Sequence, residues 1–401
     1  MIHKLTTIVC TLLTSSALAS EPTLDQLIKL AYEQNPLIKS YEQQIKSISQ
    51  AAIASSVPQS PQFGISELNR GNTTRYWSFS QKFELPAKYD LRDDIEAQNQ
   101  IAKEKQLANL KLQIRSKVIT LYYALFSVNK IITLTRADLQ KVKEISRIAE
   151  SKYAAGKAAM HDTMKAHVLQ TQIETDLISL NQEQNALQAR LRNHLNQPEG
   201  FRINAFPASI ILPTVNTQKD LGSKDSFVVA QKQAEYHSAK LRTQLANWDF
   251  APDLTFRYQQ RLSGTPENSR SVALEMSVPL WFWGKTASQR QAGYNEAAKK
   301  FELEAAAQQT STKTNELHSK VKSQQELLAI MDTALIPQAQ TSYSATLDAY
   351  KANKSSFLEL LDSERSLLKV QIAYYRLMTT YVENITELET TLGKPVTQLA
   401  I

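Results

Sequence analysis

Two periodicities divide the chain. Leu107, Leu110, Ile114, Val118, Leu121, Leu125, Val128 and Ile132 recur at steps of three and four, the pattern of a helix that lays an apolar seam on partner helices. Phe357, Leu361, Leu368, Ile372 and Tyr375 share a face in the same way. After Lys88 no proline appears until Pro198, and Gly156 is the only glycine in that stretch. The spacing therefore predicts helices over about 90–151 and 157–195, and again over about 287–348 and 355–392. At about 1.5 Å per residue the first would be ~90 Å long, too long for a compact domain. Shorter helices are expected over about 23–56 and 224–249.

The second periodicity is two. In 75–85, Trp77, Phe79, Phe83 and Leu85 alternate with Ser78, Ser80, Lys82 and Glu84. Leu254, Phe256, Tyr258 and Leu262 alternate with Thr255, Arg257, Gln259 and Arg261, and Val272, Leu274, Met276, Val278 and Leu280 with Ser271, Ala273, Glu275 and Ser277. Phe63 and Ile65 mark a weaker strand over about 62–69. Strands are thus expected at about 62–69, 75–85, 254–262 and 271–280, joined as two hairpins by polar loops at about 69–74 and 263–269. Their lengths approach the ~9–11 residues that cross a bilayer at a tilt. Tyr76, Trp77, Trp281, Phe282 and Trp283 cluster at strand ends, as interfacial aromatics do. Four strands cannot close a membrane barrel, and an open edge in lipid leaves backbone groups unsatisfied. A membrane sheet of this kind requires several chains to share one barrel.

The pattern also repeats. Tyr153 and Tyr350, Lys157 and Lys354, Leu191 and Leu388, Pro198 and Pro395, and Lys88 and Lys285 are each 197 positions apart. One offset holds without a gap from Lys88 to Pro198, so a duplication is expected. The chain divides into a leader at 1–19 and two repeats at 20–205 and 206–401. A proline-bearing linker over 198–222 joins them, and its Ile210-Ile211-Leu212 suggests packing on the helices.

Composition sharpens this picture. Only 9 of 401 residues are glycine, where an ordinary protein has about 7%, so turns are few and helices run on. The net charge of +7 is diffuse and does not argue for nucleic acid. Residues 1–19 combine Lys4, a short apolar core over Leu5–Leu13, and the small-x-small site Ala17-Leu18-Ala19, which reads as a secretory leader with cleavage at Ala17 and Ala19. The only cysteine, Cys10, lies in that leader, so the mature chain has no thiol for disulfides, metal or nucleophilic chemistry. No later segment is expected to span a membrane as a helix, leaving the periplasm or the outer membrane. His3, His161, His167, His194, His237 and His318 form no metal-ligand spacing. With no phosphate loop or nucleophile elbow either, no enzymatic activity and no cofactor are expected. Energy for any transport must come from a partner.

Taken together, the leader, the two repeats of helix, hairpin and long helix pair, the Asn35-Pro36 step, Leu85-Pro-Ala-Lys88 and Val278-Pro-Leu-Trp-Phe-Trp-Gly-Lys285 resemble the TolC-like outer membrane factor family. The stretch Gln81–Lys88 looks most like its heavy-metal (cobalt-zinc-cadmium type) efflux branch. Ala87, where a glycine is usual, and the absence of a proline near Phe227 depart from the pattern. The resemblance implies a mainly α fold with a small β part. It also implies a homotrimer forming a twelve-stranded outer-membrane barrel continued by a twelve-helix periplasmic tunnel. Such a duct passively completes a tripartite efflux system of a Gram-negative envelope, with a periplasmic adaptor and an inner-membrane pump of the resistance-nodulation-division type. Glu359 and Asp362 match the acidic positions of the family's periplasmic constriction, and Asp162 is the repeat partner of Glu359. The tips over 153–163 and 350–362 make Tyr153 and Tyr350 candidate braces of a closed gate. Gly156, Lys157, Asn353 and Lys354 are the candidate adaptor-docking residues. The bland reading of the carboxylates is that they favour helix N-termini. A soluble periplasmic adaptor or structural coiled coil, its hairpins forming a small sheet, remains the other reading of the chain. The substrate is not written in the sequence.

Overall fold

The computed structural model describes residues 22–69, 73–203, 206, 226–263, 269–278 and 280–395. The leader with Cys10, Ala17 and Ala19, the Ile210-Ile211-Leu212 segment and parts of both hairpin loops lie outside the described residues. In chain order the elements are α1 (Leu24–Gln34), α2 (Pro36–Ser55), β1 (Gln62–Asn69), β2 (Thr73–Phe83), α3 (Pro86–Ala154) and α4 (Met160–His194). Then come α5 (Phe227–Trp248), β3 (Leu254–Ser263), β4 (Arg270–Met276), α6 (Phe282–Ile330), α7 (Ile336–Lys351) and α8 (Phe357–Leu392).

Local chemistry sets the boundaries. Thr23 and Gln26 form a reciprocal capping box at the start of α1. The helix expected over 23–56 is two helices, because Pro36 forces Asn35 into extended backbone. The Asn35 carboxamide oxygen then caps α2 by accepting from the Leu37 N–H at 2.8 Å. Pro86 sits in the first turn of α3, where its missing N–H costs nothing. The 69 residues of α3 extend about 100 Å at 1.5 Å per residue. The helix expected over 287–348 is interrupted by a π-helical turn, Met331–Leu335. Pro337 explains it: proline cannot donate to the carbonyl four residues back and its ring crowds that oxygen. A π turn absorbs the mismatch without ending the helix. Position 140, 197 residues earlier, is glutamine, and α3 runs through it unbroken.

The four strands form one antiparallel sheet in the order β1-β2-β3-β4. Its register aligns the apolar rows Phe63–Phe79–Tyr258–Val272 and Phe83–Leu254–Met276 on one face. Among the described residues no helix packs across that face. Ile65 and Leu274 are 79% and 72% exposed. Among the described residues the edges β1 and β4 carry no further strand. The other face holds Arg257 paired with Glu275 at 3.0 Å, and Arg261 donating to the Tyr76 hydroxyl at 3.0 Å.

Among the described residues a small apolar cluster of Leu317, Leu388 and Leu392 and two large ones fill the helical part. The larger joins Leu27 and Ala31 of α1 to Val118, Leu125 and Val128 of α3, Leu191 of α4, and Tyr381, Val382 and Ile385 of α8. The smaller gathers Val142, Ile145 and Ala149 of α3, Leu169 and Ile173 of α4, Tyr343 and Tyr350 of α7, and Phe357, Leu360 and Leu367 of α8. Residues after α4 pack on the larger cluster: Ile203 is buried, and Phe206 lies against Tyr122 with ring centroids 5.4 Å apart. One sequence expectation is corrected. By length and composition α3 does contain a stretch apolar enough to span a membrane, but 67% of it is buried inside the protein, as in a core helix.

Candidate functional site

The helix order places the sheet at one end and two helix turns at the other. α3 and α4 meet in the turn at 155–159, α7 and α8 in the turn at 352–356. Each turn needs one residue in the left-handed region, supplied by Gly156 (φ 69°) and Asn353 (φ 55°). The carbonyl of Lys152 accepts from the Lys157 N–H, and that of Ala349 from the Lys354 N–H, both at 2.8 Å. These six-to-one bonds satisfy carbonyls that a helix end otherwise orphans. Gly156, Lys157, Asn353 and Lys354 are all exposed.

The gate candidates divide into distinct environments. Glu359 is exposed, and its carboxylate accepts from the Ser355 hydroxyl at 2.6 Å and the Ser356 N–H at 3.0 Å. The Ser355 bond first, then the Ser356 N–H, hold its carboxyl below the usual range. Glu359 thus completes a capping box on α8. Asp362, one turn on, is exposed. Asp162 lies in the first turn of α4, 3.0 Å from Nε2 of His161. Tyr350 is buried against Phe357 with centroids 5.9 Å apart, whereas Tyr153 is exposed. Burial, then the charge of Asp162, raises the pKa of the Tyr350 phenol. Among the described residues its hydroxyl finds no hydrogen-bond partner. Lys152 places its ammonium 3.8 Å above the Tyr350 ring and donates to the Tyr350 carbonyl, tying the two helix pairs together. Burial, then Lys157, lowers the Lys152 pKa.

Sequence reasoning overlooked a pair of carboxyl groups behind the tip, Asp138 on α3 and Glu364 on α8, both buried. A signal was present. Glu364 falls in phase with Phe357, Leu361 and Leu368, and Asp138 continues the seam through Thr135, Val142 and Ile145. A second overlooked group is Asp253. It takes Lys88 on Oδ1 and Lys82 on Oδ2, each at 2.8 Å, where the sheet meets α3.

Comparison with known proteins gives a consistent picture. Residues 224–394 match the family described as outer membrane efflux protein. The cobalt-zinc-cadmium resistance protein CzcC of Cupriavidus metallidurans is 21% identical over 386 residues, covering 93% of this chain and 90% of the relative. Among solved structures, the outer-membrane channel OprN superposes with a TM-score of 0.81 at 15% identity, covering 94% of this chain and 91% of that one. CusC, described in terms of transmembrane channel formation, gives 0.78 at 16% identity, covering 93% and 92%.

Proposed function

We propose that this protein, whose residues 224–394 match the outer membrane efflux protein family and whose fold is similar to that of outer-membrane channels, is the outer-membrane exit duct of a tripartite efflux system. The observation that carries the reading is a four-stranded sheet with an exposed apolar face and two open edges, standing at the end of helices ~100 Å long. In water that face would be an aggregation hazard. In lipid it is satisfied once three chains close twelve strands into one barrel, with Arg257, Glu275 and Arg261 turned to the lumen. A soluble adaptor would leave the same face in water. The protein sits in the outer membrane with a long periplasmic portion, conducts passively, and performs no chemical step of its own.

The helical end is its periplasmic mouth. Three copies of Glu359 and Asp362, with Asp162 behind, ring the constriction and favour cations there, while Tyr350 and Tyr153 brace it. Gly156, Lys157, Asn353 and Lys354 present the docking surface for a periplasmic adaptor coupled to an inner-membrane pump. The chain is two copies of one unit, 20–205 and 206–401. Left-handed residues at 156 and 353, and at 196 and 393, support this because each pair is 197 apart. The likeness to CzcC favours metal cations as cargo.

Outer-membrane fractionation with chemical cross-linking tests the assembly, and a soluble monomer would refute it. For the mouth, Glu359→Ala with Asp362→Ala is expected to raise single-channel conductance or relieve cation block in planar bilayers. Unchanged behaviour would remove both residues from the constriction.

A further inference from the structure

Asp138 and Glu364 take no part in the duct as described above. They are 2% and 1% exposed and sit within the apolar cluster behind the tip, near Val142, Leu361 and Leu367. Both Glu364 carboxylate oxygens and Oδ2 of Asp138 are buried without a conventional hydrogen-bond donor. Two adjoining carboxylates in apolar surroundings cannot both keep their charge. One proton between them resolves the conflict, with the Glu364 O–H donating to Asp138. The other titratable or charged groups facing the pair are Lys141 and Glu144 on α3, Tyr343 on α7 and Arg365 on α8. From α4 the same cluster receives Ala166, Leu169, Ile173 and Leu177, all apolar. Burial, then the hydrogen bond to Asp138 and its charge, raise the Glu364 pKa to about 9 against the pull of Lys141 and Arg365. Tyr343, pushed to about 12 by burial and then by the charges of Glu364, Asp138 and Glu144, stays neutral throughout.

We propose that Asp138 and Glu364 form a proton-held clasp that ties the α3–α4 pair to the α7–α8 pair and keeps the periplasmic mouth closed until the proton leaves. The consequence for the mouth rests on the duct reading; the clasp itself does not. An unfolded glutamate titrates near 4.3, so folding raises the Glu364 pKa. The clasp's contribution is complete below the unfolded value, declines as pH rises, and is lost above about 9. Alkalinity therefore frees the second helix pair.

The mature chain lacks cysteine, so spin labels on cysteines replacing the exposed Lys157 and Lys354 report the separation of the two turns without background. In the wild-type assembly that separation is expected to widen between about pH 7 and 10, with channel open probability rising about threefold or more. Glu364→Gln, whose amide donates to Asp138 at every pH, is expected to stay closed and flat on both readouts. Replacing Asp138 and Glu364 together by leucine supplies an apolar clasp and should be equally flat. A separation that does not change with pH in the wild type, or a Glu364→Gln profile that follows it, overturns the clasp. Label separation that responds as expected in an assembly that conducts no ions upholds the clasp and refutes the duct instead.

Discussion

Lys88, 3% exposed at the start of α3, donates to Oδ1 of Asp253 at 2.8 Å across 165 positions of sequence. Asp253 lies immediately before β3, so this contact joins the foot of the second hairpin to the longest helix. Because Lys82 takes the other carboxylate oxygen, one acid serves two cations. Removing that acid leaves Lys88 charged, buried and unpaired. Asp253→Ala is expected to destabilise the chain by about 3 kcal/mol, the usual cost of breaking a buried pair. Lys88→Met removes the buried charge while Asp253 keeps Lys82, and should cost far less. The thermal midpoints of the two purified variants decide the order.

On the sheet, the same substitution should have opposite outcomes on neighbouring residues. Leu274 belongs to the apolar face and Ser271 to the other. If the sheet belongs to the membrane barrel proposed above, Leu274→Arg is expected to cost about 2–4 kcal/mol near the bilayer midplane and to deplete the assembled trimer. Ser271→Arg, on the face that the same reading turns to the lumen, should assemble normally. Heat-modifiable migration on gels reads both.

The turn at Gly156 offers a test of pure backbone conformation. No atom lies within 4 Å of where its Cβ would be, so a larger side chain meets no obstacle there. Gly156→Val should nevertheless lower stability by about 1–2 kcal/mol, because a β-branched residue resists positive φ. Gly156→Asn should be milder, since Asn353 already adopts this conformation. Urea unfolding of the two variants gives the comparison.

Tyr350 separates a ring from a hydroxyl. Its hydroxyl is buried and unpartnered, so Tyr350→Phe is expected to change stability by less than about 0.5 kcal/mol, or to improve it. Tyr350→Ala removes the seat of Phe357 and of the Lys152 ammonium and should cost about 3–5 kcal/mol. If Tyr350 braces the mouth, channel leakage should appear in the alanine variant and not in the phenylalanine one.

Much of the architecture was legible because burial imposes a period. The seam from Ile114 to Ile132 is buried, and the alternating residues of the strands meet in register. The likeness in fold to solved outer-membrane channels extends over nearly the whole chain, and the family match covers residues 224–394. Less was legible where two distant segments share one chemical problem. Asp138 and Glu364 each fall in phase with an apolar seam, but nothing pairs the two until α3 and α8 are placed side by side. Lys88 was visible as a repeated mark, but its partner Asp253 was not, because a lone aspartate before a strand carries no period. The break at Asn35-Pro36 and the effect of Pro337 could have been read from proline chemistry alone.

The π turn before Pro337 makes the two helix pairs mechanically unequal. One extra residue in a turn rotates everything beyond it by roughly 100° about the helix axis. α7, which carries Tyr350, therefore presents its faces out of phase with α6, whereas α3 delivers Lys152 along one continuous rod. A torque applied at the two tips would be carried through α3 to the sheet, but would be absorbed by rewinding at Met331–Leu335. If three such chains ring a mouth as proposed, rigid and compliant posts would alternate around it, and a mouth built that way could twist without disturbing the sheet.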